Sequence, residues 1–174
     1  MDLDVVLADD YIGDVTALTM DDLRAKRAAC QSLEVGLSYL RRMAQGRLDI
    51  VAAEVRRRSE GGPPPDPDDL VRSLSGILAD HITSAGNGRL PQLLGPSVDD
   101  LDTSELDAIA GPGRLVGIAG TSEEDLGDLV ERLATFEADV SARRRALHER
   151  IDVLQAELTR RYKTGEASVE TLLK

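Results

Sequence analysis

Aromatic side chains are scarce in this sequence: Phe136, Tyr11, Tyr39 and Tyr162 are the whole set, and there is no tryptophan. Proteins that grip single-stranded nucleic acid stack successive bases on aromatic rings. The sequence therefore offers no stacking platform of that kind.

Cysteine, histidine and long apolar runs are also nearly missing. The single cysteine, Cys30, excludes an internal disulfide, indicates a reducing compartment and is expected to pack as a small apolar residue. No apolar run approaches the roughly 20 residues of a transmembrane helix, and no signal peptide is recognisable. No Glu-x-x-His or His-Glu-x-x-His motif lies in the helical stretches, and with only two histidines the sequence indicates no Ser-His-Asp arrangement. We expect a cytoplasmic protein that is not an enzyme and has no catalytic residue, metal site or cofactor.

Basic residues are fewer than acidic ones, and the formal net charge at pH 7 is −11. An acidic chain gains nothing from counterion release on DNA and is repelled by anionic membranes. We therefore expect no direct DNA binding, no membrane binding and a basic protein as partner.

What the sequence does contain is helical periodicity. Thr19 followed by Asp22 resembles a capping box, and the pattern then runs to about Ser59, where the Gly and Pro residues of 61–65 must end it. The apolar positions recur by threes and fours, as in a coiled-coil seam. They are Leu33, Leu37, Leu40, Ala44, Leu48, Val51 and Val55.

A second helical stretch begins with Thr121 and Glu124, which also resemble a capping box, and runs to about Lys163 with Gly165 as its C-cap. Its seam positions are Phe136, Val140, Leu147, Ile151, Leu154 and Leu158.

These patterns predict an all-α protein, a long antiparallel two-helix coiled coil with a shorter middle helix. The predicted segments are a flexible or partner-ordered N-terminal arm (1–18), a long helix (19–60), a linker (61–120) with a short helix at 67–84 and one or two helical turns near Ser104–Ala110, a second long helix (121–165) and a tail (166–174).

The two long helices carry the same polar stripe, 103 residues apart. Residues 34–57 and 137–160 share nine identities in twenty-four positions, most of them polar. At about 100° per residue, the five stripe positions fall within an arc of roughly 80° on one helix face. The stripes are Glu34, Ser38, Arg41, Gln45 and Asp49 in the first copy, and Glu137, Ser141, Arg144, His148 and Asp152 in the second.

The residue types of the stripes indicate guanine and phosphate as ligands. Arginine presents a planar fork to the O6 and N7 acceptors of guanine, and a carboxylate accepts from its N1–H and exocyclic amine. Ser, Gln and His hydrogen-bond phosphate or ribose oxygens. Antiparallel pairing gives the two stripes a pseudo-twofold relation, which suits a twofold-symmetric ligand.

The duplicated stripe E-x3-S-x2-R-x3-Q/H-x3-D resembles the signature of the RsiG family, the cyclic di-GMP-binding anti-sigma factors of spore-forming actinobacteria. The resemblance covers both long helices. It implies an antiparallel coiled coil that holds a dimer of cyclic di-GMP on the paired motifs and sequesters the sporulation sigma factor WhiG.

Carried over position by position, the resemblance implies that Arg41 and Arg144 contact guanine Hoogsteen edges. Asp49 and Asp152 would contact the guanine N1/N2 edge. The remaining positions, Glu34, Glu137, Ser38, Ser141 and Gln45, would contact base, ribose or phosphate.

His148 departs from the first copy, which has Gln45 at this position. A histidine donates to phosphate more strongly when protonated, so we expect ligand affinity to depend on pH near about 6–7.

Two cyclic dinucleotides bring four negative charges to an acidic protein, and this repulsion must be offset. We expect a basic face of the sigma factor to do so together with four arginines beside the stripes. These are Arg42, Arg47, Arg145 and Arg150.

Other interpretations of the stripes stay open from sequence. Each stripe is compatible with an ordinary solvated helix face laced with salt bridges. The protein would then be a ligand-free structural or adaptor coiled coil, and Arg41→Ala with Arg144→Ala would change almost nothing. In a third interpretation the duplicated face forms a homodimer.

Overall fold

The computed structural model describes residues 2–63 and 102–166, and these ranges are all-α. The helices are α1 (Leu3–Leu7), α2 (Met20–Ser59), α3 (Ser104–Ala110), α4 (Pro112–Val116), a 3-10 helix (Ile118–Gly120) and α5 (Glu123–Thr164). The helix predicted at 67–84 and the tail from 167 onward lie outside the described residues. None of the helices in the described ranges is long and apolar enough to cross a membrane.

The N-terminus of α2 confirms the predicted capping box. The Thr19 hydroxyl accepts from the Asp22 backbone N–H at 3.1 Å, and the Asp22 carboxylate accepts from the Thr19 backbone N–H at 3.4 Å. Two donors that the first helical turn leaves unpaired are thereby satisfied. Asp21 and Asp22 also place negative charge at the positive end of the helix dipole.

The N-terminus of α5 corrects the prediction by one residue. The cap is Ser122 with Asp125, in place of Thr121 with Glu124: the Ser122 hydroxyl accepts from the Asp125 N–H at 3.1 Å and donates to its carboxylate at 2.6 Å. Thr121 and Ser122 are both good capping residues, so sequence alone did not separate them. At the other end, Gly165 follows the helix with a φ of 75°, which confirms it as the C-cap.

The molecule has two compact units. The first contains the described residues 2–38 and 140–166, and the second contains 39–63 and 102–139. Each unit therefore combines one part of α2 with one part of α5. Within each unit, residues of α2 with higher sequence numbers contact residues in or just before α5 with lower sequence numbers. The two helices are therefore antiparallel, as predicted.

The cores of both units follow a heptad. The fully or almost fully buried side chains recur every seven residues on each long helix, the spacing expected for helices that face each other continuously. They are Leu23, Cys30, Leu37, Ala44 and Val51 on α2, and Leu126, Leu133, Val140, Leu147 and Leu154 on α5. A leucine buried to this extent contributes about 1.5–3 kcal/mol to stability, so these positions dominate the core energetics.

The predicted seam is correct in its main positions and wrong at Val55, which is 41% exposed. Either the third or the fourth residue after Val51 can face the partner helix. In the structure the third residue, Glu54, is buried, and the fourth, Val55, is exposed. Leu33, Leu40 and Leu48 are only half-buried.

The internal repeat extends well beyond the two polar stripes. At the same offset of 103 residues, α1 corresponds to the C-terminal part of α3, with Val6 and Ile109 buried at equivalent positions. The capping residues Thr19 and Ser122 also correspond. The repeated segment therefore spans residues 2–63 and 105–166, and each unit is assembled from parts of both copies.

The segments that precede the long helices contain short helices that the sequence pattern only partly predicts. The turns near Ser104–Ala110 are confirmed as α3. Neither α1, within the predicted N-terminal arm, nor α4, within the predicted connector loop, was expected. Pro112 opens α4 at the first helical position, where its fixed φ and missing N–H are tolerated.

Candidate functional site

In the first unit, three stripe residues converge on the carboxylate of a fourth, Glu34. Glu34 Oε1 accepts from Ser38 Oγ at 2.7 Å and from Arg144 Nε at 3.0 Å, and it lies 3.2 Å from His148 Nε2. Burial opposes ionisation of Glu34, but the bonds from Ser38 and Arg144 outweigh it and lower the pKa of the carboxyl below its ordinary value. We call this cluster the first half-site.

In the second unit, Glu137 takes the corresponding position. Its Oε1 accepts from Gln45 Nε2 at 3.1 Å and from Arg41 Nη1 at 3.4 Å. Arg41 Nε is buried and has no hydrogen-bond partner among the described residues. A buried donor in that state is costly, by about 1–3 kcal/mol, unless something else accepts from it. We call this cluster the second half-site.

The two half-sites are equivalent position for position. In each, the first residue of one motif holds the third and fourth residues of the other motif: Glu34 holds Arg144 and His148, and Glu137 holds Arg41 and Gln45. Antiparallel pairing of two identical stripes produces this reciprocity, because it aligns the start of one motif with the later positions of the other. Each half-site thus presents a guanidinium, a carboxylate and a neutral or titratable hydrogen-bonding group.

The remaining stripe residues lie nearby on the same helices. Ser141 and Asp49 are half-buried, whereas Asp152 is exposed on α5. No contact in the described part of the chain joins Asp152 to Glu34, Arg144 or His148. At least seven of the ten predicted residues therefore make direct polar contacts between or within the motifs, and Asp152 faces outward.

The family comparison covers both motifs. The model of the RsiG-like family matches residues 9–78 and 113–174, which include both motifs. The chain belongs to the RsiG-like family. Membership implies an anti-sigma factor, a regulator with a sigma factor as its partner. No curated protein matches the chain.

This RsiG-like chain also contains a buried charge cluster that the stripes did not predict. In the second unit, Glu54 is only 5% exposed and accepts from Arg57 and from Arg58, one turn later on α2. Arg58 also donates hydrogen bonds to the backbone carbonyls of Ile118, Ala119 and Thr121, directly before α5. The bonds from Arg57, and then those from Arg58, lower the pKa of Glu54 to about 2.

The first unit repeats this cluster at the same offset. Glu157 accepts from Arg160 and Arg161, and Arg161 donates to the carbonyls just before α2. These carbonyls belong to Val15, Thr16 and Leu18. Arg160 and then Arg161 lower the pKa of Glu157 to about 2 as well. We call the two clusters the arginine clamps. The sequence signal was the repeated Glu-x-x-Arg-Arg at 54–58 and 157–161, one residue longer than the aligned window.

The clamps and two further arginines fix the short segments against the long helices. Arg47 donates to the carbonyls of Leu106 and Ala110, and Arg150 donates to those of Leu7 and Ala8. Arg47 also pairs with Asp107, which offsets its charge, whereas Arg150 donates to neutral carbonyls and retains its charge. Arg42 and Arg145 are exposed. That these four arginines offset the charge of a ligand stays a prediction.

Proposed function

We propose that the protein is a cyclic di-GMP-dependent anti-sigma factor that sequesters a sporulation sigma factor of the WhiG type. In this proposal the two half-sites bind a dimer of cyclic di-GMP through both E-x3-S-x2-R-x3-Q/H-x3-D motifs. A sigma factor acts in the cytoplasm, so the complex would form there.

The observation that carries the proposal is the reciprocity of the half-sites. Each combines an arginine of one motif with a glutamate of the other, so the same set of donors and acceptors occurs twice. A cyclic dinucleotide with two identical guanine nucleotides offers the same acceptors and donors twice. The match is therefore one of number as well as of chemical type.

The arginines retain donors for a ligand. Arg144 contacts Glu34 through Nε, which leaves its two terminal nitrogens for the O6 and N7 acceptors of a guanine. Arg41 contacts Glu137 through Nη1, which leaves Nη2 for a guanine or phosphate oxygen. The glutamates hold both side chains in position, which reduces the entropy lost on binding.

The ligand would also create the surface that the sigma factor recognises. Two bound dinucleotides add four phosphate charges to a chain of net charge −11. This accumulation is unfavourable alone and favourable when a basic protein face covers it. Ligand and partner then bind cooperatively, each increasing the affinity for the other by the same factor.

Isothermal titration tests the proposal in two stages. Cyclic di-GMP should bind the full-length chain, and cyclic di-AMP should not, because adenine lacks the O6 acceptor and the N1–H and N2 donors. A WhiG-type sigma factor should then bind at least about tenfold more tightly in the presence of cyclic di-GMP, since the coupling energy of such switches is typically about 1–3 kcal/mol. Equal sigma affinity with and without the nucleotide would contradict the proposal. No nucleotide binding at all would favour the ligand-free adaptor.

A further inference from the structure

In the second unit, α3 and the N-terminal part of α5 enclose a groove of about 500 Å³. Its floor is apolar, because Ile109 and Phe136 line it and each is only 7% exposed. Four carboxylates and one guanidinium surround this floor. They belong to Glu105, Asp128, Glu131, Asp139 and Arg132.

The wall formed by α3 is held firmly in place. Arg47, whose side chain is 11% exposed, donates to the carbonyls of Leu106 and Ala110 and forms a 2.6 Å ion pair with Asp107. These three contacts fix both ends of a seven-residue helix to α2. The groove is therefore a preformed feature of the fold, which lowers the cost of filling it.

Comparison with the first unit shows which of the side chains that line the groove the fold requires. At the offset of 103 residues, the floor residues Ile109 and Phe136 correspond to Val6 and Leu33, so the apolar character is kept. The three carboxylates on α5 are not kept. Asp128, Glu131 and Asp139 correspond to Ala25, Ala28 and Gly36. The same architecture forms in the first unit without these charges, so they are not required for folding.

The carboxylates are poorly explained as local salt bridges. Asp128 pairs with Arg132 at 3.5 Å, but the two side chains are 56% and 46% exposed, and exposed pairs contribute little to stability. Glu131 and Asp139 are exposed as well. An acidic rim around an apolar floor is complementary to a segment that is both basic and apolar.

We infer that this groove is a docking site for a basic, amphipathic segment of the protein partner. The inference rests on the proposed function, in which that partner is a sigma factor. A DNA-binding protein carries a basic face, whereas nucleic acid itself is repelled by this lining. Asp128 to Asp139 extends about 17 Å along α5 at 1.5 Å per residue, enough to contact about three turns of a helix. Lysine and arginine stems cover the floor while their charged ends reach the rim.

The test uses the full-length protein and neutralises the groove with the residue type of the first unit. Asp128→Ala, Glu131→Ala and Asp139→Ala are combined, with alanine preferred to glycine at 139 because glycine weakens a helix. With saturating cyclic di-GMP, sigma-factor affinity should fall by about tenfold or more, mainly through a slower association rate that depends less on salt. Cyclic di-GMP affinity should stay unchanged, which also reports that the variant is folded.

A charge-matched control removes three exposed acids from the first unit: Asp9→Asn, Asp10→Asn and Glu149→Gln. This control should change sigma-factor affinity by less than about twofold, since it removes the same number of negative charges but leaves the lining of the groove unchanged. The inference is overturned when the groove variant binds the sigma factor like the wild type, or when the control loses as much affinity.

A second arm separates this inference from the proposed function. A fluorescently labelled helical peptide with one lysine face and one leucine face should bind the wild type and the control but not the groove variant, as measured by anisotropy. Peptide discrimination without sigma-factor binding would support the groove and refute the anti-sigma proposal. No discrimination by the peptide would refute the groove whatever the sigma factor does.

Discussion

The first and second units are two versions of one structure, and their differences show which side chains the architecture requires. Both keep the glutamate and arginine of the half-site, at Glu34 with Arg144 and at Glu137 with Arg41. Both also keep an arginine clamp that joins a buried glutamate to the carbonyls before a long helix. They differ in the fourth motif position and in the charge around the groove. The retained contacts are the ones that build the half-sites and the helix junctions, and the variable ones are free to specialise.

The largest expected effect comes from removing either retained arginine. Arg41→Ala and Arg144→Ala should each lower cyclic di-GMP affinity by about 100-fold, because each deletes charge-assisted bonds worth about 1.5–3 kcal/mol. Isothermal titration of both variants makes the comparison. Arg56→Ala and Arg143→Ala, which change exposed arginines on the same two helices outside the motif positions, are the matched controls and should bind within about threefold of the wild type. A large loss for only one of Arg41 and Arg144 would break the equivalence of the half-sites.

The next effect concerns stability. Glu54→Ala removes the acceptor shared by Arg57 and Arg58 and should lower the free energy of unfolding by about 2 kcal/mol, measured by urea denaturation. Glu60→Ala, at an exposed position just after α2, is the control and should have little effect. Glu157→Ala should shift the urea midpoint in the same direction as Glu54→Ala. A neutral Glu157→Ala would show that only one clamp contributes to stability.

The clamps also predict how stability depends on acid. Glu54 and Glu157 have pKa values of about 2 in the folded chain, below the ordinary value of 4.5. Their contribution is therefore complete above pH 4.5 and is lost as the pH falls toward 2. The melting temperature of the wild type should fall as the pH decreases across this window. The melting temperature of the double variant Glu54→Gln, Glu157→Gln should fall less steeply. Parallel curves for the two proteins would contradict this assignment.

The smallest effect tests the difference between His148 and Gln45. Both side chains reach the glutamate of the other motif: Gln45 Nε2 lies 3.1 Å from Glu137 Oε1, and His148 Nε2 lies 3.2 Å from Glu34 Oε1. Because either side chain donates a hydrogen bond there, His148→Gln should change cyclic di-GMP affinity by less than about threefold in isothermal titration. Gln45→His should have an equally small effect. A loss of about tenfold or more in either exchange would show that the two fourth positions are not interchangeable.

Much of this structure follows from residues that repeat visibly along the chain. The long helices, the Thr19 capping box and the two stripes have strong local signals, because periodicity and capping depend on near neighbours. The full length of the duplication has no such local signal. Outside the stripes the copies share shape more than residue type, as where Cys30 corresponds to Leu133 and Ala44 to Leu147.

Residues that act through distant backbone were the hardest to predict. Arg58 and Arg161 resemble surface charge in the sequence, yet they bind carbonyls at least 60 and 140 positions away, respectively. Which carbonyls become available depends on how the segments before α2 and α5 turn, and the sequence pattern predicted no structure there. The identity of Glu54 with Glu157 was visible, but its burial follows only from the register of the two helices.

Each unit contains parts of both copies of the repeat, so cleavage of the chain between the copies would divide both units. Residues 2–38 need 140–166 to complete one unit, while the other takes its two sides from 39–63 and 102–139. A protease cut between 64 and 101 would yield two fragments, neither with a whole unit, that still require each other for every buried heptad layer. The protein is in effect a heterodimer of its own halves, and two separately expressed fragments are the natural reagents for reassembling it.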